Sequence, residues 1–360
     1  MIKVSNKILM VVTVRHFFIG LGLALHDKKH DYHLVFINQN HGEELNPILR
    51  AAMALVAPFK TVRCMPLNSS GGASRYKTRK KIFYKLEQLI KELCPVEIST
   101  GNDRRIEFQY AMHFARGVLG YDVVGSYLDN GNGSYISYEK LNLRKYLSRI
   151  WIDVLVKKIA YGRWFTTAYK YGDSHWIDKC YLCHLDHIPD HLAEKKSSEV
   201  ELRFYRTENA KIVLSKYVEH LGLPHNINKP SDSMLMVLPR VKMIADIYGS
   251  LEEAKAVIAD ISEEYENVFI KYHPADTLNP LGFDQGVTIL PSSIPVEMLL
   301  GVMEFDYILG DTSTAIMAAK WMFPNSRVEF IDTGSPYTLS IKKLYMSMGI
   351  LPFDPRESLV

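Results

Sequence analysis

Short apolar runs alternate with helix-spaced segments in two separate stretches of this chain, and that alternation confines the fold more than any other feature. In the first stretch Ile8 to Thr13, Tyr32 to Ile37 and runs near 60–65, 96–100 and 121–127 read as strands. Helical spacing lies between them, at Phe17 to Leu25 and near 45–56, 79–93 and 105–117. The second stretch repeats the alternation, with strands at Met234–Leu238, Val268–Tyr272, Val287–Leu290, Phe305–Leu309 and Val328–Ile331. There Leu251, Ala254, Val257, Ile258 and Ile261 make one helical apolar face, and Thr314 to Met322 forms a further short helix. Strands that are apolar throughout need both faces covered, which parallel sheets between helices provide. The expectation is an α/β chain of two Rossmann-like domains whose parallel sheets face a central cleft, with ligands at the carboxyl ends of the strands. The boundaries read as 1–230, including an irregular helical insert, then 231–345, then a tail at 346–360.

Composition excludes several other classes. The 360 residues are 47% hydrophobic and 23% charged, as in an ordinary globular protein. A net charge of +3 is too weak for a dedicated nucleic-acid binder. Lys3 and Lys7 precede an apolar stretch, but Arg15 and His16 interrupt it, so no secretion signal is expected. No uncharged apolar window reaches the roughly 18 residues of a membrane span. With only four cysteines, a reduced cytoplasmic setting is the simple reading.

Four local features carry chemistry. Lys271-Tyr272-His273-Pro274 ends a strand, and Pro274 fixes the turn that leaves His273 at the strand's carboxyl end, able to donate to a phosphate oxygen. Leu309-Gly310-Asp311-Thr312-Ser313-Thr314 joins a strand to a helix. Gly310 permits the tight turn, and Ser313 and Thr314 offer hydroxyls and free N–H groups that either cap the helix or bind an anion. Pro295 and Glu297 open another helix, where Glu297 complements the helix dipole or accepts from ribose hydroxyls. Finally, Asp129-Asn130-Gly131 follows a strand in the first stretch, either as a plain turn or as a carboxylate held for general-base work.

Other segments admit two readings each. Asn102 and Asp103, with Arg104 and Arg105, follow a strand and precede a helix, so they meet a sugar or merely a solvated helix start. The Gly/Ser-rich then basic stretch Asn68 to Lys81 reads as a loop entering a helix and lacks the P-loop pattern. Cys180-Tyr181-Leu182-Cys183-His184 spells the haem-attachment pattern, but a reduced pair packed inside the protein fits this context better. The aromatic and basic helix Leu143 to Trp164 reads as a core helix with a solvated basic face, with peripheral contact at an anionic membrane surface as the second reading.

Taken in order, Asp129-Asn130-Gly131, His273-Pro274 and Ser313-Thr314 resemble the motifs of bacterial CMP-sialic acid-dependent sialyltransferases and polysialyltransferases. The resemblance is clearest over 230–335 and thinner over 1–140. It implies the GT-B fold and metal-independent, inverting transfer of a sialic, pseudaminic or legionaminic acid from a CMP-activated donor to a capsule, lipooligosaccharide or similar glycan. It implies no further cofactor, and a cytoplasmic enzyme working at the inner membrane. By that resemblance Asp129 is the base, with Asp103 as its fallback, and His273 both contacts the CMP phosphate and protonates the leaving group, while Pro274, Glu297, Gly310, Ser313 and Thr314 hold CMP. Asn130, Gly131, Asn102 and Asp103 face the sugar or acceptor. Asn130 departs from the pattern, because a carboxylate is expected there and an amide is no base. Competing readings are a CDP-glycerol or CDP-ribitol phosphotransferase, a UDP-sugar enzyme, and a homologue that binds without turnover.

Overall fold

A computed structural model of the chain describes residues 5–38, 46–67, 72–136, 154–168, 170–224, 232–276, 279–283, 285–332 and 338–354. The chain separates into two compact units, Met1–Phe204 and Tyr205–Val360.

The first unit is built on a seven-stranded, wholly parallel sheet in the order β3-β2-β1-β4-β5-β6-β7. The strands are β1 Ser5–Val11, β2 His30–Asn38, β3 Thr61–Pro66, β4 Glu97–Thr100, β5 Val124–Leu128, β6 Lys179–Leu182 and β7 Lys196–Glu199. Helices α1 Val14–His26, α2 Pro47–Leu55, α3 Gly72–Leu93 and α4 Ile106–Met112 make the early crossovers. The inner strands are apolar because helices cover both faces, and Ile8, Met10, Val35, Ile37 and Ile98 share one core with α3 and α4. The strands β6 and β7 escape the apolar pattern. The first is four residues long, and the second is the polar edge strand KSSE, whose unpaired side needs no apolar cover.

The second unit holds a six-stranded parallel sheet in the order β10-β9-β8-β11-β12-β13. Its strands are β8 Ser233–Val237, β9 Asn267–Lys271, β10 Thr288–Ile289, β11 Tyr307–Gly310, β12 Arg327–Ile331 and β13 Leu351–Phe353. The helix Leu251–Ser262 buries Ala254, Val257, Ile258 and Ile261, the face its spacing implies. It starts where the Ser250 side chain accepts from the Glu253 N–H at 3.0 Å. Leu351–Phe353, inside the segment expected as a tail, pairs with β12. Leading from its first strand, each sheet has the doubly wound order, with a switch point between β1 and β4 in one and between β8 and β11 in the other.

Much of the expected helix Leu143 to Trp164 lies outside the described residues, as do Asn68 to Gly71 of the basic loop. Residues 154–161 are helical and expose Leu155, Val156 and Ile159. Among the described residues no helix is long and apolar enough to cross a membrane.

At the amino-terminal edge of the first sheet a buried lysine organises the strand entries. Lys7 Nζ lies 3.0 Å from Asp27 Oδ2 and 3.2 Å from Glu97 Oε2. Burial pushes Asp27 up, but the Lys7 ammonium and the Lys29 N–H more than offset it and hold the carboxyl at about 2. Removing the ammonium leaves the buried Glu97 and the part-buried Asp27 without the cation they share. Lys7→Met is expected to lower the unfolding free energy by about 3 kcal/mol in urea titration; a loss under about 1 kcal/mol shows that water reaches the pair.

Candidate active site

The carboxyl edge of the first sheet is where its buried charges gather. Thr13 caps α1, its hydroxyl accepting from the His16 N–H at 3.4 Å, so Arg15 and His16 fall in the first turn just beyond β1. The rest of α1 is apolar and fills the core; these two polar side chains are 5% and 1% exposed. Arg15 Nη2 donates to Asp129 Oδ1 at 3.2 Å and to Cys183 Sγ at 3.3 Å. The exits of β1, β5 and β6 are thereby tied to one another.

Asp129 is fully enclosed. Oδ1 also accepts the Gly131 N–H at 2.7 Å, and Oδ2 accepts the Cys183 N–H at 3.0 Å and the Tyr135 hydroxyl. Gly131, at φ 64°, turns the chain into the short helix α5 Asn132–Tyr135, which brings Tyr135 back beneath the carboxylate. Burial pushes Asp129 up, but the Arg15 charge, the Tyr135 hydroxyl and the Cys183 N–H carry its net shift below the ordinary carboxylate value. The carboxylate expected as the base is thus met by four donors, which occupy both oxygens and tie three strand exits together.

Asn130, one residue on, is partly exposed, and its Oδ1 lies 2.7 Å from His16 Nε2. With Oδ1 as acceptor, Nε2 carries the proton and Nδ1 holds the lone pair; that nitrogen is buried without a hydrogen-bond partner. Burial carries His16 down to about 4, so the ring is neutral at pH 7. The ring lies flat against Gly101 at the exit of β4: a β-carbon there would stand 2.0 Å from His16 Cδ2. His16 and Arg15 were legible only as polar interruptions of an apolar helix; two such groups directly after a strand are the signal that marked them.

The exit of β4 carries Asn102 and Asp103. Asn102 Oδ1 accepts the Arg104 N–H at 3.2 Å, and the residue is partly exposed. Asp103 is 0% exposed and accepts from the Gly172 and Ser174 N–H groups at 3.0 and 2.8 Å. Burial pushes its carboxyl up. Through these two bonds it pins the backbone at Gly172 and Ser174. Cys180 packs in the apolar core while Cys183 meets Arg15, and both are free thiols.

The second sheet presents a different edge. His273 leaves β9 as expected, and its Nδ1 accepts the Ala275 N–H at 3.1 Å, so the neutral ring carries its proton on Nε2. Burial and the Arg240 charge lower its pKa; Asp276 and Asp311 oppose them. Asp276 Oδ2 accepts the Val241 N–H at 3.1 Å, which ties the exit of β9 to that of β8. Pro274 is exposed in the turn. At the exit of β11, Gly310 has no room for a side chain: a β-carbon would meet Ile316 Cδ1 at 2.7 Å and Val237 O at 2.8 Å. The helix Thr314–Met322 therefore starts close over the strands, with Ser313 as its N-cap and Ser313 and Thr314 partly exposed. Burial raises the Asp311 carboxyl.

Glu297 is 9% exposed in the helix Val296–Leu300 and interacts with Lys271. Lys271 itself is 2% exposed, with Nζ donating to the carbonyls of Tyr272 at 2.9 Å and Ser292 at 3.2 Å. Burial brings this lysine down to about 8. The fold thus gathers His273, Asp311 with its Ser313–Thr314 turn, and, through Lys271, Glu297 on one sheet edge, while Asp129, Asn130 and Gly131 stand on the other sheet's edge.

Searches against protein-family models and against curated proteins find no match. Solved structures do match. The UDP-GlcNAc 2-epimerase of Methanocaldococcus jannaschii aligns with 99% of this chain and 90% of its own, at 14% identity and a TM-score of 0.51. The Neisseria meningitidis UDP-GlcNAc 2-epimerase bound to UDP-GlcNAc covers 98% and 89%, at 12% identity and a TM-score of 0.52. The glycotransferase of kitacinnamycin covers 98% and 86%, at 10% identity and a TM-score of 0.52. At these identities the likeness is one of fold: the chain has the two Rossmann-like domains of the GT-B fold.

The buried imidazoles generate a pH prediction. His16 and His184 are both held near 4 by burial, against 6.5 in an unfolded chain. Above pH 6.5 their contribution to stability is complete. As pH falls from 6.5 towards 4 the unfolded state takes up protons that the folded state refuses, so stability declines. Urea unfolding is expected to show this decline between pH 6.5 and 5, with a smaller slope in His16→Gln. An unchanged slope in that variant contradicts a neutral buried His16.

Proposed function

We propose that this chain is a glycosyltransferase that draws on a nucleotide-activated sugar, seating the nucleotide on the carboxyl edge of the second sheet and the acceptor on that of the first. One observation carries the reading: His273, the Asp311–Thr314 turn and Glu297 converge on one edge of a doubly wound sheet beside its switch point. The neutral His273 offers Nε2–H to a phosphate oxygen, and Thr314, with Ser313 held by Asp311, stands at the start of the helix beside it. Glu297 accepts from ribose hydroxyls, with Lys271 fixing the backbone around it.

The donor is, in this reading, a CMP-activated nonulosonic acid such as sialic, pseudaminic or legionaminic acid, and the acceptor a surface glycan. The motif order His273-Pro274, Glu297, Ser313-Thr314 supports CMP. The fold neighbours named for UDP-GlcNAc make a UDP-sugar the competing donor. The reading needs no metal or organic cofactor, since the leaving group is a phosphate monoester met by hydrogen-bond donors. The test is a donor screen following nucleotide release: CMP-nonulosonates, CDP-glycerol, CDP-ribitol and UDP-GlcNAc, each with and without glycan acceptors. CMP release that rises with acceptor is expected, and His273→Ala should raise the donor KM by about tenfold, as loss of a charge-assisted hydrogen bond does. Release of UDP alone overturns the CMP assignment, and no release from any donor overturns the transferase.

His16 takes the place of Asp129 as proton acceptor in this scheme. Asn130 fixes the tautomer, and Nδ1, buried with a lone pair that no donor meets, takes the acceptor hydroxyl's proton through water. The amide at Asn130 then has a use that a base does not: its carbonyl orients an imidazole. His16→Gln is expected to lower kcat by about 10²-fold while leaving donor binding intact. The parent rate should fall away only as pH approaches 4, and Asp129→Asn should act chiefly on stability. A folded Asp129→Asn variant without transfer activity, beside an active His16→Gln, returns the role to the carboxylate.

A further inference from the structure

Four arginines of the first unit gather around one buried carboxylate, Glu107. Arg75 and Arg79 come from α3, and Arg104 and Arg105 from the exit of β4. Arg79 Nε meets Glu107 Oε1 at 2.9 Å, and its Nη1 donates to the Tyr161 hydroxyl at 3.1 Å. Glu107 is 0% exposed, and its second oxygen is buried without a hydrogen-bond partner. Arg105 faces Glu107, Arg79, Arg75 and Tyr171, and its charge also reaches His16. Arg104 lies flat on Tyr171, 4.4 Å from the ring centre. Asp103 feels Arg104, but its oxygens are taken by Gly172 and Ser174. The Nε atoms of Arg75 and Arg105 are buried and donate to nothing.

Such a cluster is costly to bury. Buried guanidinium N–H groups without acceptors lose hydration and gain nothing, and like charges at close range repel. Burial and the charges of Arg79 and Arg75 pull the Arg105 guanidinium below its ordinary value against the pull of Glu107. The Nε atoms of Arg75 and Arg105 stay without acceptors, and all four residues remain partly exposed, so a ligand can reach them. The chemistry that answers this arrangement is a planar or tetrahedral oxyanion, which guanidinium forks bind through paired N–H groups.

We propose that Arg75, Arg79, Arg104 and Arg105 form an oxyanion site that recognises a carboxylate or phosphate carried by the acceptor glycan. The site's place beside His16 gives this anionic group the task of fixing the acceptor, and that assignment rests on the acceptor role proposed for the first unit. Anion binding itself does not depend on it.

The test is calorimetric titration of the full chain, without donor, using glucose 6-phosphate, glucuronic acid, glucose and inorganic phosphate at low and high salt. Glucose 6-phosphate and glucuronic acid are expected to bind at least tenfold more tightly than glucose, and more weakly as salt rises. Arg75→Gln and Arg105→Gln should each weaken that binding about tenfold, with Arg105→Lys intermediate because it keeps the charge and loses the fork. The proposal is overturned if glucose binds as well as its anionic relatives, or if variants with parental melting curves bind anions undiminished. Should Arg105→Gln not fold, Arg105→Lys and Arg75→Gln decide by the same criterion. Inorganic phosphate matching glucose 6-phosphate overturns the acceptor assignment, since the sugar then adds nothing. Because no donor is present, failure of every donor to release nucleotide leaves this titration standing, and failure of the titration leaves the donor screen standing.

Discussion

A guanidinium and a carboxylate inside the first unit hold its functional edge together. Neither Arg15 nor Asp129 could be buried alone, since an isolated ion in such surroundings is several kcal/mol unfavourable. The pair is tolerated because each Asp129 oxygen also receives N–H or O–H groups from Gly131, Tyr135 and Cys183. Arg15 follows β1, Asp129 follows β5 and Cys183 follows β6, so satisfying one carboxylate fixes three strand exits at once. His16 and Asn130 are the next residues along from the two ions, and their contact at 2.7 Å repeats the first one. The ion pair thus holds the His16–Asn130 contact in register beside it.

The second sheet reaches a similar end by neutral means. Asp276 caps the helix after β8 from the turn after β9, and Lys271 satisfies two carbonyls from beneath His273. These contacts fix the backbone on either side of His273. The two sheets lead with the same strand order although the chain has no evident internal repeat. Their edges differ in charge: guanidinium collects around β4, while the β9 and β11 exits mix Arg240, Asp276 and Asp311 around a neutral imidazole.

How far the sequence discloses this structure depends on which forces shaped each part. Apolar strands covered on both faces announce themselves, and β1, β2, β8 and β9 lie where their hydrophobic runs lie. The helix Thr314–Met322 has the bounds its spacing implies. Strands β6 and β7 are short or polar, and their membership is decided by neighbours far along the chain, Tyr127 for Cys180 and Tyr181 for Ser198. The motif His273-Pro274 was legible because proline fixes a strand end locally. Asp129 was legible as a turn carboxylate, but its role was not, because Arg15 lies 114 residues away in sequence. Burial by such distant partners leaves no mark in the local pattern.

Gly101 shows what an absent side chain can do. The imidazole of His16 occupies the volume where a β-carbon at residue 101 would stand, so the two positions share one space between them. Neither can drift independently: any larger residue at 101 evicts the ring and cuts its bond to Asn130. Across descendants of this chain, positions 16, 101 and 130 should therefore be inherited as a linked set. Loss of the glycine is the mark by which a copy that has abandoned the imidazole could be told from one that keeps it.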